Sequence, residues 1–546
     1  MFLHRISDFI GMLIAALITS SAYASYEGDF SLYSYSELFY EPGSYSNSYG
    51  VTKEIYTERS DLSLSSNGTY SIALNEATIK RSVFEFRTFD EENLIYNSYT
   101  NFLAQGQSSE GNAYTSGPYD TVVVQTGDGT AKIFFSSNTN VALVAMTDEE
   151  SADYEEVGLG IAVRKSSGLS NAVMNGTFIR FGIGNHFSGQ TEHGSGNIDS
   201  LLLEQSIMQF DGLGNFTEQV DEWASRRVIT ENVITNGSDH YINSYCTVAA
   251  PETDSFSTTN GSYAVNASNG IITLTFPDVS MPAQVSPDGN LIATALAEAD
   301  GDSAGSYFNI AIKQPASMPT NAIDAVFFAL EMDEEFDWNI PSSGNCHNAI
   351  EVGRSYIYFN SDNTFSMRSD YWNIGNVLEN QYVYEEPHGI LSYNQFTTQS
   401  QPRSIELSGG TYSIATNGLV TLLFDHGDMG IAQVSENGKY VVYGFADGGE
   451  GYGERWMGFG IRRDEIPADT EPITFNSDFE MTPTGVVFSA SVPTNVNVEI
   501  LCTANLSEGE WNSLVITNSV DGNLQIKDSG ASSKETRFYN ATFGIW

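Results

Sequence analysis

Apolar residues recur at every second position along most of the chain. Ile272, Leu274 and Phe276 alternate with Thr273 and Thr275. That is the pattern of an antiparallel strand with one face in a core and the other in solvent. Short turn signals stand between such runs: Asn269-Gly270, Asp288-Gly289 and Asn417-Gly418. Asn, Asp and Gly accept the positive φ that tight hairpin turns demand. The alternation therefore predicts an all-β chain of short strands joined in sequence, with no helix in its body.

The pattern also repeats at a long period. Ile207 to Trp223 (IMQFDGLGNFTEQVDEW) matches Tyr356 to Trp372 (YIYFNSDNTFSMRSDYW), with Phe210, Phe216 and Trp223 on Phe359, Phe365 and Trp372. Gly261-Ser262-Tyr263 matches Gly410-Thr411-Tyr412, and Ala283-Gln284-Val285-Ser286 matches Ala432-Gln433-Val434-Ser435. One offset held across three separate motifs marks an internal duplication. A divergent copy precedes both, opened by Gly28-Asp29-Phe30 as Gly176-Thr177-Phe178 opens the second. The units are placed at 25–168, 169–318 and 319–466, each with about eight strands.

Such a run hides its edges either by closing into an up-and-down, lipocalin-like barrel or by forming two propeller blades. About 75 residues per blade exceeds the roughly 40–50 of common propellers, so three barrels are expected. The Ser-Pro-Asp-Gly turn at 286–289 keeps a six-bladed propeller as the alternative. A barrel spanning 169–318 is expected to fold alone, since about 150 residues suffice for a core. The last strand of each unit carries small residues beside its large ones: Gly160 and Ala162, Asn309 and Ala311, Gly458 and Gly460. Taken as off-core positions, they predict close approach of another backbone there.

The first 24 residues follow a different rule. His4 and Arg5 precede the apolar run Phe9 to Ile18, and Ala22-Tyr23-Ala24 supplies small residues for cleavage. This reads as a signal peptide, 1–24, because ten apolar residues are too few to span a bilayer. The expected location is secreted, extracellular or at the cell surface, with the periplasm as an option, and with no membrane insertion after cleavage. Charge narrows the partners. Lys and Arg number 23 against 69 Asp and Glu, a net charge of −46. Nucleic acid and anionic lipid are excluded as partners, since both require clustered cations. Cys246, Cys346 and Cys502 match no metal spacing, and an odd count leaves one unpaired; Cys246–Cys346 is the candidate bridge.

The turns and strands together resemble a repeat of secreted bacterial proteins of unknown function. It is carried by Lys165-Ser166-Ser167-Gly168, Asn175-Gly176-Thr177-Phe178 and Phe210-Asp211-Gly212-Leu213-Gly214-Asn215. The resemblance implies a fold and no activity. Residues 467–546 lie outside the repeat. Leu506, Trp511 and Arg537-Phe538-Tyr539 resemble a C-terminal β-sandwich module of exported bacterial proteins. Cys502, Ala504 and Asn540 depart from its pattern. That resemblance implies an accessory role, with Trp511 and Tyr539 in a core of about seven strands.

Candidate chemistry is sparse. No histidine pair has metal-ligand spacing such as HExxH, and no nucleophile elbow occurs. His186 and His193 fall in a Gly/Ser-rich stretch read as a loop. Acidic residues precede the last strand in every unit: Asp148, Glu149, Glu150, Asp153, Glu155 and Glu156; then Glu298, Asp300 and Asp302; then Asp447, Glu450 and Glu454. Carboxylates near glycine suit Ca²⁺, which takes six to eight oxygens, and Glu298, Asp300 and Asp302 are the candidate set. No other cofactor and no catalytic residue is expected. The sequence thus points to an exported, non-catalytic surface, matrix or binding protein with a glycan or protein partner. The alternative is a secreted carbohydrate-active hydrolase with its site in a barrel mouth or propeller channel.

Overall fold

The computed structural model describes residues 26–463 apart from 41–47, 88–98, 105–107, 112–113, 118–120, 126–129, 137, 152–153, 189–196, 237–238, 278, 301–302, 318–322, 341–344 and 386–388. Beyond them it describes 474–475, 480–482, 485–491, 497–503, 512–518, 523–528 and 538–543. Residues 1–24 and Trp511 lie outside this set. The described chain is all-β, with one 3₁₀ turn at Asn171–Met174 as its helical element.

The second and third repeats each close into an eight-stranded antiparallel barrel, in chain order around the ring. Barrel 2 runs from Gly176–Ser188 to Ser303–Lys313, and barrel 3 from Ala325–Ile340 to Tyr452–Arg463. In barrel 2 the closure is direct: Phe178 pairs with Lys313 and Ser188 with Ser303. Closure into a barrel abolishes the open edges that make flat sheets stick to one another, and it sets aside the propeller. The first repeat follows the same course as a ten-stranded sheet. Its first strand, Gly28–Tyr40, lies between the second, Ser48–Leu64, and the last, Tyr154–Arg164. Its path ends at Tyr99–Ala104 and Tyr114–Gly117 among the described residues.

The repeated motifs are the closed ends of the barrels. Phe210 packs edge-on against Tyr263 at 5.1 Å, and Phe359 against Tyr412 at the same 5.1 Å. Gln284 Nε2 donates to the carbonyls of Asn269 and Val285 at 3.0 and 3.1 Å. Gln433 Nε2 does the same to Asn417 and Val434 at 3.0 and 2.9 Å. In the Phe-Asp-Gly turn, Asp211 accepts bonds from the backbone N–H of Leu213, Gly214 and Asn215 and from Asn215 Nδ2. These bonds, led by the one from the Asn215 side chain, lower its pKa to about 2. Gly212 holds φ +73°, a conformation that strains residues bearing a Cβ. The motif is turn chemistry.

The last strands correct the expectation about small residues. The small side faces the barrel interior: Ala162 and Ala311 belong to the cores of repeats 1 and 2. A Cβ on Gly458 would lie 2.1 Å from the Tyr443 ring, so glycine there makes room for a tyrosine inside barrel 3. The large side faces outward and is buried between repeats. Leu159 and Ile161, Phe308 and Ile310, and Met457 and Phe459 together line one small apolar space. Phe134 packs on Phe328 at 4.4 Å, Ser31 Oγ donates to Gln284 Oε1 at 2.9 Å, and Tyr440 Oη donates to Asp288 Oδ2 at 3.3 Å. The three repeats therefore pack round a common axis with a shared outer core. A lone barrel 2 would expose Ile183, Phe308 and Ile310, all buried here. This outer core opposes the independent folding expected of 169–318.

A polar hub sits beside that core. Glu37, Asn185 and Glu334 occupy the same position in the first strand of each repeat. Asn185 Nδ2 donates to Glu37 Oε1 at 2.6 Å and to Glu334 Oε2 at 3.2 Å. Arg455 enters from the last strand of barrel 3 and pairs with Glu334 at 2.5 Å and Glu37 at 3.5 Å. It also donates to the carbonyl oxygens of Leu202, at 2.9 Å, and Gly184. Burial opposes its charge, but Glu334, Tyr35 and Glu37 outweigh that and hold the guanidinium above its ordinary pKa.

The C-terminal unit comprises residues 117–120 and 463–546. It forms a sheet of Thr474–Phe475, Glu480–Thr482, Gly485–Ser491 and Asn523–Asp528, and a sheet of Asn497–Thr503, Asn512–Asn518 and Phe538–Phe543. Among the described residues, seven strands in two sheets are consistent with the expected sandwich. Val486, Phe488, Ile500, Leu524 and Ile526 are buried.

Candidate functional site

Among the described residues, a strongly charged cluster inside barrel 2 centres on Arg180. Its strand alternates Phe178, Arg180, Gly182 and Gly184 on the inner face with Ile179, Phe181 and Ile183 on the outer. Glu204 and Ser206 come from the second strand, Asn197–Phe210, Glu218 from the third, Asn215–Asn236, and Asn309 from the last. Arg180 Nη2 lies 3.1 Å from Glu204 Oε2 and 2.9 Å from Glu218 Oε1. Its Nε donates to Ser206 Oγ at 2.9 Å and its Nη1 to Asn309 Oδ1 at 3.2 Å. Ser206 Oγ donates in turn to Glu218 Oε1 at 2.6 Å. Burial alone would weaken the arginine's charge, but Glu204 and Glu218 more than offset it and raise its pKa.

The backbone makes room for this centre. A Cβ on Gly182 would fall on Asn309 Oδ1, and one on Gly184 would lie 2.6 Å from the Tyr307 ring. Glu222 pairs directly with Glu204 across the strands, on the mouth side of the cluster. Burial first, then the charges of Glu204 and Asp254, push its carboxyl above the usual carboxylate range. Beneath the cluster, Arg180 and Asn309 share a space with Met208, Leu274 and Ile292 that takes about one water.

Chemically, the arginine is spent. Both carboxylates, the serine and the asparagine occupy four of its five N–H donors, so no fork is left for an external anion. The space beneath it, of about one water, does not admit a ligand of sugar size. What remains accessible is the mouth side, with Glu222 opposite Glu204.

The residues singled out from sequence fall elsewhere. Glu298 and Asp300 lie in the strand Leu291–Asp300, paired with Gly305 and Ser303, so their segment is a hairpin rather than a loop. Their side chains and the whole of Asp302 lie outside the described residues, as do the side chains of Asp148 to Glu156 and of Cys246, Cys346 and Cys502. Asp447 and Glu450 are exposed, while Glu454 points into barrel 3. His186 belongs to the first strand of barrel 2, opposite Ser200, and not to a loop; His193 is outside the described set. Among the described residues no group of three His, Cys, Asp or Glu converges as a metal ion requires.

Arg180 was missed because a single strand does not say which of its faces is inner. The signal lay in the repeat. Arg180, Glu204, Glu218 and Asn309 stand where the third unit has Ala329, Gly353, Met367 and Gly458. Four polar positions unique to one copy mark its interior as distinct. No family model matches this sequence, and no curated protein matches it.

Proposed function

We propose that the chain is an exported, non-catalytic protein of the cell surface or extracellular matrix. Its three repeats act as one rigid body, and its outer surface meets a glycan or protein partner. The observation that carries this reading is the interior of barrel 2. In the charged centre of barrel 2, internal partners take four of the five N–H donors of Arg180. The enclosed spaces beside it and on the common axis take about one water each. A carrier or hydrolase of the barrel-mouth kind needs a cavity of several hundred Å³, about 300 or more. The charge of −46 supports an extracellular setting, where salt screens self-repulsion.

The test incubates the full chain with a panel of poly- and oligosaccharides, measuring both retention on immobilised glycans and release of reducing ends. Retention without turnover is the expected result. A second reading, a hydrolase, is favoured by one feature: Glu222 faces Glu204, with its carboxyl held toward the protonated form. One protonated and one ionised carboxyl are the parts of glycoside hydrolysis. Turnover that is lost in Glu222→Gln would replace the first reading by this one.

A further inference from the structure

The hairpin of Leu419–Phe424 and Met429–Val434 in the wall of barrel 3 has two faces in different surroundings. Val420, Leu422, Phe424, Ala432 and Val434 belong to the core of the barrel. On the outer face Leu423 lies opposite Met429, and Thr421 opposite Ile431. Met429 is 64% exposed, Leu423 46% and Ile431 37%. Single apolar residues on a surface are ordinary, but three on neighbouring strands form a contiguous patch. At the register positions of Leu423, Met429 and Ile431, barrel 2 has Thr275, Ser280 and Pro282, and the first repeat has Gln125, Thr130 and Lys132. None of these six is a large aliphatic residue. The shared frame therefore does not require the patch, which belongs to the third copy.

The patch continues a contact that the repeats already make. Ile431 pairs with Gly444 on the next strand, and a Cβ on Gly444 would lie 2.9 Å from the Phe181 ring of barrel 2 and 3.5 Å from Leu203. Gly444 pairs in turn with Met457, which is buried on the common axis. One row thus runs from the shared outer core to Ile431, with Met429 and Leu423 beyond it along the strands. The far rim is acidic. Asp425 and Asp428 are exposed in the connecting turn, where His426 Nε2 lies 3.1 Å from Asp428 Oδ2. We propose that this face docks a polypeptide segment presenting aliphatic side chains among lysines or arginines; the premise is the binding role proposed above for the outer surface. A sugar ring is held by aromatic faces and dense hydrogen bonding. Leu, Met and Ile instead fit aliphatic side chains, with the flexible methionine adapting to their shape. Charge selects the sign of the partner. Two copies of a chain carrying −46 repel each other, whereas a cationic segment is drawn to Asp425 and Asp428.

Fluorescence anisotropy of short labelled peptides, titrated with the full chain at about 150 mM salt, tests the surface. An alternating Leu-Lys peptide should bind at least ~10-fold more tightly than a Ser-Lys peptide of equal charge, because only the first buries aliphatic side chains. Leu423→Thr combined with Met429→Ser puts the residues of barrel 2 on an exposed face and leaves the net charge as it is. It should erase the preference. Leu213→Thr removes an exposed leucine of the Phe-Asp-Gly turn and should keep it. Equal affinity of the wild type for both peptides, a preference that survives the double substitution, or one that falls equally in Leu213→Thr overturns the surface. So does a wild-type dimer in sedimentation that the double substitution dissociates, because a second copy would then cover the patch. The peptide contrast is independent of saccharide retention and turnover, so failure here and failure of the premise are read apart.

Discussion

Barrels 2 and 3 have one frame and two interiors. Their turns, end cores and strand order correspond residue for residue, down to the Phe–Tyr contacts at 5.1 Å. Half-way along the barrel the correspondence stops. Arg180, Glu204 and Glu218 stand where barrel 3 has Ala329, Gly353 and Met367. Glu331, Asp333, Glu335 and Glu454 stand where barrel 2 has Gly182, Gly184, His186 and Gly305. The ends of a barrel are tied to turn geometry and to the packing of neighbouring repeats. Its middle needs only a volume filled and polar groups satisfied, which a salt-bridged arginine or a set of hydrogen-bonded acids and tyrosines both achieve. The frame can therefore be shared while the contents diverge.

The largest effect should come from outside the barrels. Arg455→Met leaves Glu37 and Glu334 buried without their cation, and removing one partner of a buried pair costs about 3–5 kcal/mol. Urea denaturation of the full chain should show this loss, and a change below ~1 kcal/mol would mean the repeats do not depend on the hub. Arg180→Ala should cost about 3 kcal/mol or more for the same reason. Adding Glu204→Gly and Glu218→Met, the residues of barrel 3, should recover at least half of it. A triple variant no better than the single one would break the idea of interchangeable interiors.

Smaller differences sharpen the comparison of the ends. Tyr263 Oη donates to Asn171 O at 3.0 Å, whereas Tyr412 Oη both donates to Asn360 O at 2.9 Å and accepts from Ile323 N at 2.7 Å. At about 1 kcal/mol per hydrogen bond, Tyr412→Phe should cost about 1 kcal/mol more than Tyr263→Phe. Equal losses in chemical denaturation would show that the extra bond contributes nothing. Asp211→Ala should lower the melting temperature by the least, since its turn is exposed. The Asp211 pKa is lowered to about 2, so its contribution is present above the unfolded pKa and fades as pH falls through about 2. The melting difference between wild type and variant should therefore close in acid; a difference constant from neutral pH down to about 2 would contradict the turn's dependence on the carboxylate.

The frame was legible in the sequence because it is written locally. Alternation, Asn-Gly turns and the Phe-Asp-Gly motif each fix a strand or a hairpin within a few residues. The interior was legible only by subtraction between copies, since Arg180 looks like any strand arginine until Ala329 is set beside it. The small last-strand residues were recognised but assigned to the wrong face, because both sides of those strands are buried and alternation cannot say which side is the barrel. Arg455 left no local trace at all. Its partners Tyr35 and Glu37 stand about 420 positions earlier, and nothing in Tyr-Gly-Glu-Arg-Trp announces them.

That separation has a consequence for how the molecule comes into being. At a synthesis rate of 5–20 residues per second, Arg455 follows Glu37 out of the ribosome by about 20–80 s. In the last third of that interval the first two repeats are complete but lack their cation, and the apolar outer sides of their first and last strands have no third neighbour. The nascent chain is therefore at greatest risk of capture by other chains just before it is complete, and a delay in assembly favours whatever holds it open until its final repeat arrives.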